Sequence, residues 1–97
     1  MFLEESWGKL FNYKYNVAMS SGTTADMAAL MTLYDTAKKN EVVSGDEIIV
    51  PALAFAAVGN SIRAAGFTPK FVDIRRDNMN INPDLIEEKI TSKTRAI

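Results

Sequence analysis

The chain lacks both cysteine and histidine among its 97 residues. Without cysteine it can form no disulfide and no thiolate metal site, and without histidine it can build neither a Ser-His-Asp triad nor a histidine metal site. We therefore predict no metal ligands. No apolar run approaches the ~18 residues of a membrane span, and the acidic start at Glu4 and Glu5 is not typical of a signal peptide. These absences favour a cytoplasmic protein with no membrane partner.

The chain also lacks an excess of either charge, with 11 basic and 12 acidic residues and a net charge of -1. The adjacent pair Arg75-Arg76 is flanked by Asp73 and Asp77, so no clustered basic surface is predicted. Because nucleic-acid binding needs such a surface, we predict no nucleic-acid partner. The hydrophobic content of 47% is typical of a packed domain, and 97 residues suffice for one small domain at most.

Apolar periodicity and turn residues divide the chain into alternating helices and strands. A helix is predicted over 3–12, because four apolar residues share one helical face: Leu3, Trp7, Leu10 and Phe11. A second stripe predicts a helix over 24–39 whose core-facing residues are Met27, Leu30, Met31, Tyr34 and Ala37. The other predicted elements are a buried strand at Tyr15–Met19, a strand at Glu47–Val50 stopped by Pro51, a helix over 55–65 closed by Gly66, a strand at Lys70–Ile74, a helix over 83–90 beginning at Pro83, and the opening of a strand at Thr94–Ile97.

This alternation predicts an α/β fold with a partial, mainly parallel sheet and flanking helices. Parallel sheets are normally covered on both faces, and the fourth predicted strand is still open at Ile97. We therefore expect residues 1–97 to be a fragment of a larger domain. Unpaired strand edges and uncovered apolar faces would make the isolated chain marginally stable or prone to self-association.

The segment Ser20–Ala25, between the first predicted strand and the second predicted helix, has the composition of a phosphate-binding turn. The first amides of a helix have no intrahelical acceptor and favour an anion. Gly22 would let a ligand approach the backbone, and the hydroxyls of Ser21, Thr23 and Thr24 would add donors. The alternative is a helix cap without a ligand, in which Thr23 and Asp26 form a capping box. A Walker-type nucleotide site is not supported, because no lysine follows the glycine.

Four separated motifs resemble the N-terminal part of the large domain in the DegT/DnrJ-type nucleotide-sugar aminotransferases. They cover nearly the whole chain, in order and with matching spacing, and they are Val17–Ala25, Ser44–Phe55, Ala65–Ile74 and Ile90–Ile97. Members of this family depend on pyridoxal phosphate (PLP) and have the aspartate-aminotransferase fold, fold type I. The resemblance therefore implies that residues 1–97 are an incomplete, N-terminal portion of a PLP-dependent aminotransferase large domain.

The resemblance implies cofactor-binding roles for four residues. Thr23 and Thr24 match positions that bind the PLP phosphate, and Gly22 matches the small residue that opens the turn. Phe55 matches the aromatic residue that stacks on the pyridine ring, although the residue pattern alone would favour an ordinary core aromatic. Asp73 matches an acid at a strand end, for which we predict a structural role in capping the following loop.

The chain departs from the family pattern at two positions. Ala54 and Val58 stand where a hydroxyl-bearing residue is usual, which leaves the substrate preference open. The Schiff-base lysine and the acid that pairs with the pyridine nitrogen match positions beyond Ile97. We therefore name no catalytic residue in this chain and expect the 97 residues alone to be inactive.

The resemblance implies a parent enzyme that transfers an amino group from glutamate or glutamine to a nucleotide-linked keto sugar and works as a homodimer. One alternative is a PLP-dependent sugar dehydratase of the same fold, in which histidine replaces the lysine. A second alternative is a member without turnover, with a sensory or regulatory role. The third is a truncated, non-catalytic remnant.

Overall fold

The computed structural model describes residues 2–36 and 41–97 of the chain. Two helices come first: α1 spans Phe2–Phe11 and α2 spans Gly22–Thr36. The remaining elements are β1 (Glu47–Pro51), α3 (Ala56–Ala64), β2 (Thr68–Val72), two 3₁₀ turns (Pro83–Leu85 and Glu87–Lys89) and β3 (Thr94–Ala96). The helices predicted over 3–12 and 55–65, and the strands predicted near 47–50 and 94–97, are thus confirmed. The end of the second predicted helix, over 37–39, lies outside the described residues.

The three strands form one parallel sheet in the order β2-β1-β3, which confirms the predicted α/β fold. β1 pairs with β2 from Glu47 opposite Thr68 to Pro51 opposite Val72, and it pairs with β3 at Glu47 opposite Thr94. The chain leaves β1 through α3 to reach β2, and it then crosses back past β1 to reach β3. The strand order therefore reverses at β1. In open parallel sheets, ligands bind outside the carboxyl ends of the strands at such a reversal.

The core lies between the sheet and the helices α2 and α3. Its buried members come from β1, from α3 and from the approach to β2, and they are Ile48, Val50, Ile62, Ala65 and Phe67. α2 packs against them with Met27, Leu30, Leu33 and Tyr34. The stripe predicted on α2 is therefore confirmed at three of its positions. Met31 is an exception at 53% exposure, and Ala37 lies outside the described residues.

An ion pair between a buried aspartate and a half-buried arginine closes the amino end of the sheet between β1 and β3. Asp46, which is 2% exposed, accepts a 2.6 Å hydrogen bond from Nε of Arg95 and a 3.1 Å hydrogen bond from the Val43 amide. The hydrogen bond from the Arg95 guanidinium, aided by that amide, holds the pKa of the Asp46 carboxyl below its usual range.

Glu47 adds a second charged contact at the same end. Its carboxylate lies 3.0 Å from Nζ of Lys70 on β2 and accepts a 2.6 Å hydrogen bond from the Thr91 hydroxyl, which precedes β3. The hydrogen bonds from Thr91 and Lys70 lower the pKa of the Glu47 carboxyl. Asp46 and Glu47 together therefore fasten β1 to both neighbouring strands at their amino ends.

The buried strand predicted at Tyr15–Met19 is wrong. Tyr15 and Val17 are 81% and 80% exposed, and residues 15–19 form no strand in the described part of the chain. The Ala18 amide donates a 2.8 Å hydrogen bond to the Glu4 carboxylate rather than to a neighbouring strand. An apolar run is stabilised as a strand when a partner accepts its backbone hydrogen bonds, and the three described strands pair with one another.

The predicted bounds of the next strand are also shifted. β2 begins at Thr68, before the predicted start at Lys70, and ends at Val72. Pro69 is tolerated within it because β2 is an edge strand with one side unpaired in the described sheet. Ile74, predicted as the end of the strand, instead forms an isolated antiparallel bridge with Ile81.

The helix predicted over 83–90 is replaced by two short 3₁₀ turns. The side chain of Asn82 accepts a 3.1 Å hydrogen bond from the Asp84 amide and caps the first turn, with Pro83 at the first helical position as predicted. The backbone bonds reach three residues back, as from the Lys89 amide to the Ile86 carbonyl at 2.9 Å. Such tight turns are common as connectors between other elements.

Within residues 2–36 and 41–97, no helix combines the length and the apolar character needed to cross a lipid bilayer.

Candidate functional site

α2 begins at Gly22, and Ser21 caps it. The Ser21 hydroxyl accepts a 3.2 Å hydrogen bond from the Thr24 amide, and the Thr24 hydroxyl accepts a 3.1 Å hydrogen bond from the Ser21 amide. This reciprocal pair is a capping box in which threonine takes the place of glutamate or glutamine. The box predicted between Thr23 and Asp26 is wrong, because the helix starts earlier and Thr23 already lies within it.

The capping box gathers hydroxyl groups and leaves two amides facing outward. Oγ1 of Thr24 lies 3.1 Å from Oγ of Ser21 and 3.3 Å from Oγ of Ser20. Ser21 also accepts the hydrogen bonds of the third and fourth helical amides, through its hydroxyl and its carbonyl. Within the first turn of α2, the amides of Gly22 and Thr23 have no intrahelical acceptor and can serve an external one.

Open space adjoins these outward amides. A Cβ atom added to Gly22 would meet no atom within 4 Å. The backbone at Gly22 is helical rather than left-handed, so the turn itself does not require glycine there. The absence of a side chain instead leaves the start of the helix accessible to a ligand of the size of a phosphate group.

Phe55 lies at the carboxyl end of β1, where the strand order reverses. It forms the N-cap of α3, with φ -61° and ψ 135°. The residue is 82% exposed, so the interpretation of Phe55 as an ordinary core aromatic is wrong. An exposed aromatic ring at the start of a helix can receive a flat ligand against its face.

Phe55 also borders a groove of about 360 Å³ between α3 and β2. Ala54 lines the same groove, with Asn60 and Arg63 at its polar side. Val58, the other departure from the family pattern, packs against the core. The turn at the start of α2 does not line this groove, so the described residues do not enclose the turn and the aromatic ring in one cavity.

α2 and α3 nevertheless bring the turn and Phe55 to the same edge of the sheet. Near the start of α2, the Ser61 hydroxyl donates a 3.1 Å hydrogen bond to the Thr23 carbonyl. Near the end of α2, Tyr34 stacks on Phe67, which follows α3, with 4.8 Å between ring centroids. The two helices therefore run in the same direction, with both starts toward the carboxyl end of β1. At 1.5 Å per residue, Ser61 is ~9 Å along the helix axis from Phe55.

Ser61 was not predicted as a contributor from the sequence, and Ser21 was predicted as a hydroxyl donor to a phosphate but not as the helix cap. Ser21 acts as the cap because Thr24 stands three positions later, a spacing that matches the capping-box pattern in all but residue type. Ser61 is 1% exposed and precedes the buried Ile62. The one sequence feature that could have indicated its role is a single hydroxyl residue on an apolar helix face.

Asp73 and two of the lysines have structural partners. The Asp73 carboxylate accepts a 2.8 Å hydrogen bond from the Ile74 amide, in agreement with its predicted role in the following loop. Lys70 is paired with Glu47, and the Lys14 ammonium lies 5.1 Å from the centroid of the Tyr15 ring. These contacts give both lysines structural partners.

The sequence profile of the DegT/DnrJ/EryC1/StrS aminotransferase family matches residues 2–97. Among curated proteins, the GDP-4-keto-6-deoxy-D-mannose 3-dehydratase of Yersinia pseudotuberculosis is 37% identical over 94 residues, which cover 97% of this chain and 24% of that protein. The chain thus spans about a quarter of the length of this relative.

Solved structures agree with the sequence comparison. The E. coli GDP-4-keto-6-deoxy-D-mannose-3-dehydratase with bound hydrated PLP superposes with a TM-score of 0.83 at 37% identity, over 97% of this chain and 24% of that one. NtdA from Bacillus subtilis with bound cofactor PMP has a TM-score of 0.81 at 36% identity, over 97% of this chain and 20% of that one. The predicted resemblance, the fold-type I architecture and the predicted cofactor, PLP, are confirmed at the level of the family.

Proposed function

Because the chain belongs to the DegT/DnrJ/EryC1/StrS aminotransferase family, we propose that it holds the cofactor phosphate in a PLP-dependent enzyme that modifies a nucleotide-linked keto sugar. One observation carries the proposal. The capping box of Ser21 and Thr24 satisfies the Thr24 amide and the Ser21 amide that precedes α2, and it leaves the amides of Gly22 and Thr23 without an intrahelical acceptor, beside the open space at Gly22. That arrangement is a helix N-terminus suited to an anion.

The donor set of the turn fits a phosphate ester. The amides of Gly22 and Thr23 would donate to its oxygens, and the Thr23 hydroxyl would add a donor. The Thr24 hydroxyl, which donates to the Ser21 carbonyl at 2.9 Å, would contribute by turning its proton toward the phosphate. The positive end of the α2 dipole would favour the dianion. Phe55, exposed at the same edge of the sheet, would lie against the pyridine ring. When bound, PLP supplies an electron sink for chemistry at the carbon that bears the amino group of the bound amino acid or sugar.

For the reaction, we propose transfer of an amino group from glutamate or glutamine to the keto sugar. The family to which the chain belongs is named for this chemistry. The resemblance assigns the reactive lysine and the acid at the pyridine nitrogen to positions beyond Ile97, so the role of residues 1–97 is to bind and orient. We further propose that these residues are the N-terminal portion of the large domain, in an enzyme that acts as a homodimer.

A second candidate reaction, dehydration of the nucleotide-linked keto sugar, is favoured by one observation. The Yersinia relative, 37% identical over nearly the whole chain, is a GDP-4-keto-6-deoxy-D-mannose 3-dehydratase. The two reactions differ in whether nitrogen reaches the sugar. Supplying the full-length protein with a GDP-linked 4-keto-6-deoxy sugar and ¹⁵N-glutamate tests this. ¹⁵N in the sugar product supports transamination, and a deoxygenated product without ¹⁵N supports dehydration.

The cofactor role is tested with Thr23→Ala in the full-length protein. Since the hydroxyl and the helix start would bind a charged phosphate, we expect affinity for PLP to fall roughly tenfold or more, as measured by fluorescence titration. Thr23→Ser keeps the hydroxyl and is the matched control, with affinity close to that of the wild type. Unchanged PLP affinity in Thr23→Ala would overturn the assignment of the phosphate to this turn.

A further inference from the structure

The proposed function requires two parts of one small ligand to be held by two different helices. The phosphate would bind at the start of α2, and the ring would lie against Phe55 at the start of α3. Because the phosphate and the ring of PLP are covalently joined, the two helix starts must keep a fixed offset. We infer, on the basis of that proposed function, that Ser61 is the positioning residue that sets this offset.

The geometry at Ser61 is that of a fixed link. The residue lies in α3, is 1% exposed, and donates from Oγ to the Thr23 carbonyl at 3.1 Å. A buried hydroxyl is nearly always hydrogen-bonded, which restricts this side chain to its partner on α2. A carbonyl has two lone pairs, so the Thr23 oxygen can accept the Ser61 hydroxyl and still accept an amide within α2. The link therefore forms without opening the helix.

The peptide unit between Thr23 and Thr24 carries the effect of Ser61 into the turn. Its carbonyl accepts from Ser61, and its amide, that of Thr24, donates to Oγ of Ser21 at 3.2 Å. Hydrogen bonds arranged in a chain polarise and strengthen one another. Ser61 thus supports the capping box that keeps the amide of Gly22 facing outward, although it would touch neither cofactor nor substrate.

The test compares PLP with pyridoxal, which lacks the phosphate, in the full-length protein. We expect Ser61→Ala to weaken PLP binding by roughly three- to tenfold while pyridoxal binding stays unchanged, because the variant loosens the phosphate contact alone. The ³¹P resonance of bound PLP should also move toward that of free PLP. Ser61→Thr, which keeps the hydroxyl, should restore both the affinity and the resonance.

Ile62→Val is the matched control, because it removes one methylene group from the neighbouring buried position and leaves the link to Thr23 intact. It should lower stability without changing the ratio of PLP to pyridoxal affinity. Equal losses for both ligands in Ser61→Ala, or no loss for either, would overturn the positioning role and leave the proposed function standing. If the wild type binds PLP no better than pyridoxal, the phosphate site itself fails and the inference about Ser61 fails with it.

Discussion

α1 and α3 carry the same kind of sequence signal and differ in their surroundings. Each has apolar residues on one helical face, and each forms the predicted helix. In α3, Ile62 is 2% exposed against the core, whereas in α1 Trp7 and Leu10 are 52% and 74% exposed. The described residues therefore cover the apolar face of α3 and leave most of that of α1 open.

The residues that make a segment helical are thus not the residues that decide whether the helix is buried. Helical spacing is a property of the segment itself, while burial depends on residues that are distant in the sequence. α3 connects two parallel strands and so lies against their sheet by construction. α1 is held by its own neighbours in sequence, through the Glu4 contact with Ala18 and the 3.0 Å hydrogen bond from the Tyr13 amide to the Gly8 carbonyl.

The largest difference in stability is expected between a truncation in the sheet that α3 covers, Ile49→Ala in β1, and a truncation in α1, Leu10→Ala. Ile49 is 2% exposed, so truncation leaves a cavity and should lower the free energy of unfolding by roughly 2–5 kcal/mol. Leu10 is 74% exposed, and its truncation should change that free energy by less than about 0.5 kcal/mol. Urea unfolding followed by far-UV circular dichroism measures both.

Ile49→Val gives a milder version of the same test, with an expected loss of about 0.5–1.5 kcal/mol. It keeps the comparison measurable where Ile49→Ala does not fold. A loss in Leu10→Ala as large as that in Ile49→Ala would show that the apolar face of α1 is covered in solution.

Low pH should affect the stability of the two regions differently, because each region contains a carboxylate whose pKa is held low and only the one in the sheet region fastens the strands. Hydrogen bonds from Arg95 and the Val43 amide lower the pKa of Asp46, and the Ala18 amide lowers that of Glu4. A folded-state pKa below the unfolded value of about 3.9 for aspartate gives stability that is present above that pH and is lost as the pH falls through the folded-state pKa. Acid should therefore weaken the sheet through Asp46.

We expect Asp46→Asn to lower the Tm at neutral pH, because the half-buried Arg95 loses its charged partner, and to flatten the fall of Tm below about pH 4. Glu4→Gln should leave the Tm of the sheet unchanged across the same range. Thermal unfolding followed by circular dichroism at several pH values decides this. Arg95→Gln should reproduce the flattened profile, and a wild-type profile in Asp46→Asn would contradict the role given to the ion pair.

Alanine substitutions at two glycines, one in each region, test the same comparison with smaller expected effects. Gly66 has φ +89°, and an added Cβ would lie 3.0 Å from the Tyr34 hydroxyl, so Gly66→Ala should lower global stability by about 1–2 kcal/mol. At Gly8 an added Cβ would lie 2.7 Å from the Tyr13 carbonyl oxygen, so Gly8→Ala must displace the turn after α1. The fluorescence of Trp7, the single tryptophan, should report this second change while the circular dichroism of the sheet does not. Coincident losses in both signals would mean that the two regions unfold together.

A smaller loss of stability is expected at the cap of α2. Ser21→Ala removes the acceptor of the Thr24 amide and should cost about 1 kcal/mol of unfolding free energy. Ser20→Ala is the control, since its 3.3 Å contact with the Thr24 hydroxyl satisfies no backbone amide. Equal losses in the two variants, measured by urea unfolding, would contradict the assignment of Ser21 as the cap.

Residues that act through their own backbone made much of the sheet region predictable from the sequence. Pro51 ends β1 and Gly66 follows α3, because proline lacks an amide and glycine adopts a left-handed φ without strain. The strand predicted at Tyr15–Met19 failed for the opposite reason, since a strand depends on a partner that its own residues do not specify. The helix predicted over 83–90 failed because three-residue bonding gave separate turns.

The candidate site was predictable in kind and less so in detail. The sequence located a hydroxyl-rich turn before a helix, but the roles within it depend on where the helix starts, and that start lies at Gly22 rather than after Thr23. The contact of Ser61 with Thr23 joins residues 38 positions apart and leaves no local signal. The cofactor contacts of Gly22, Thr23, Thr24 and Phe55 stay predictions, resting on the family and on the exposure of these groups.

The charged contacts at the amino end of β1 bear on how such a domain can diversify over evolution. Asp46 and Glu47 fasten the strands at one end, while Phe55 and the start of α2 lie toward the other. Natural selection can therefore vary residues at the carboxyl end, changing which substrate or which reaction is favoured, while the fastening that keeps the strands in register is left intact.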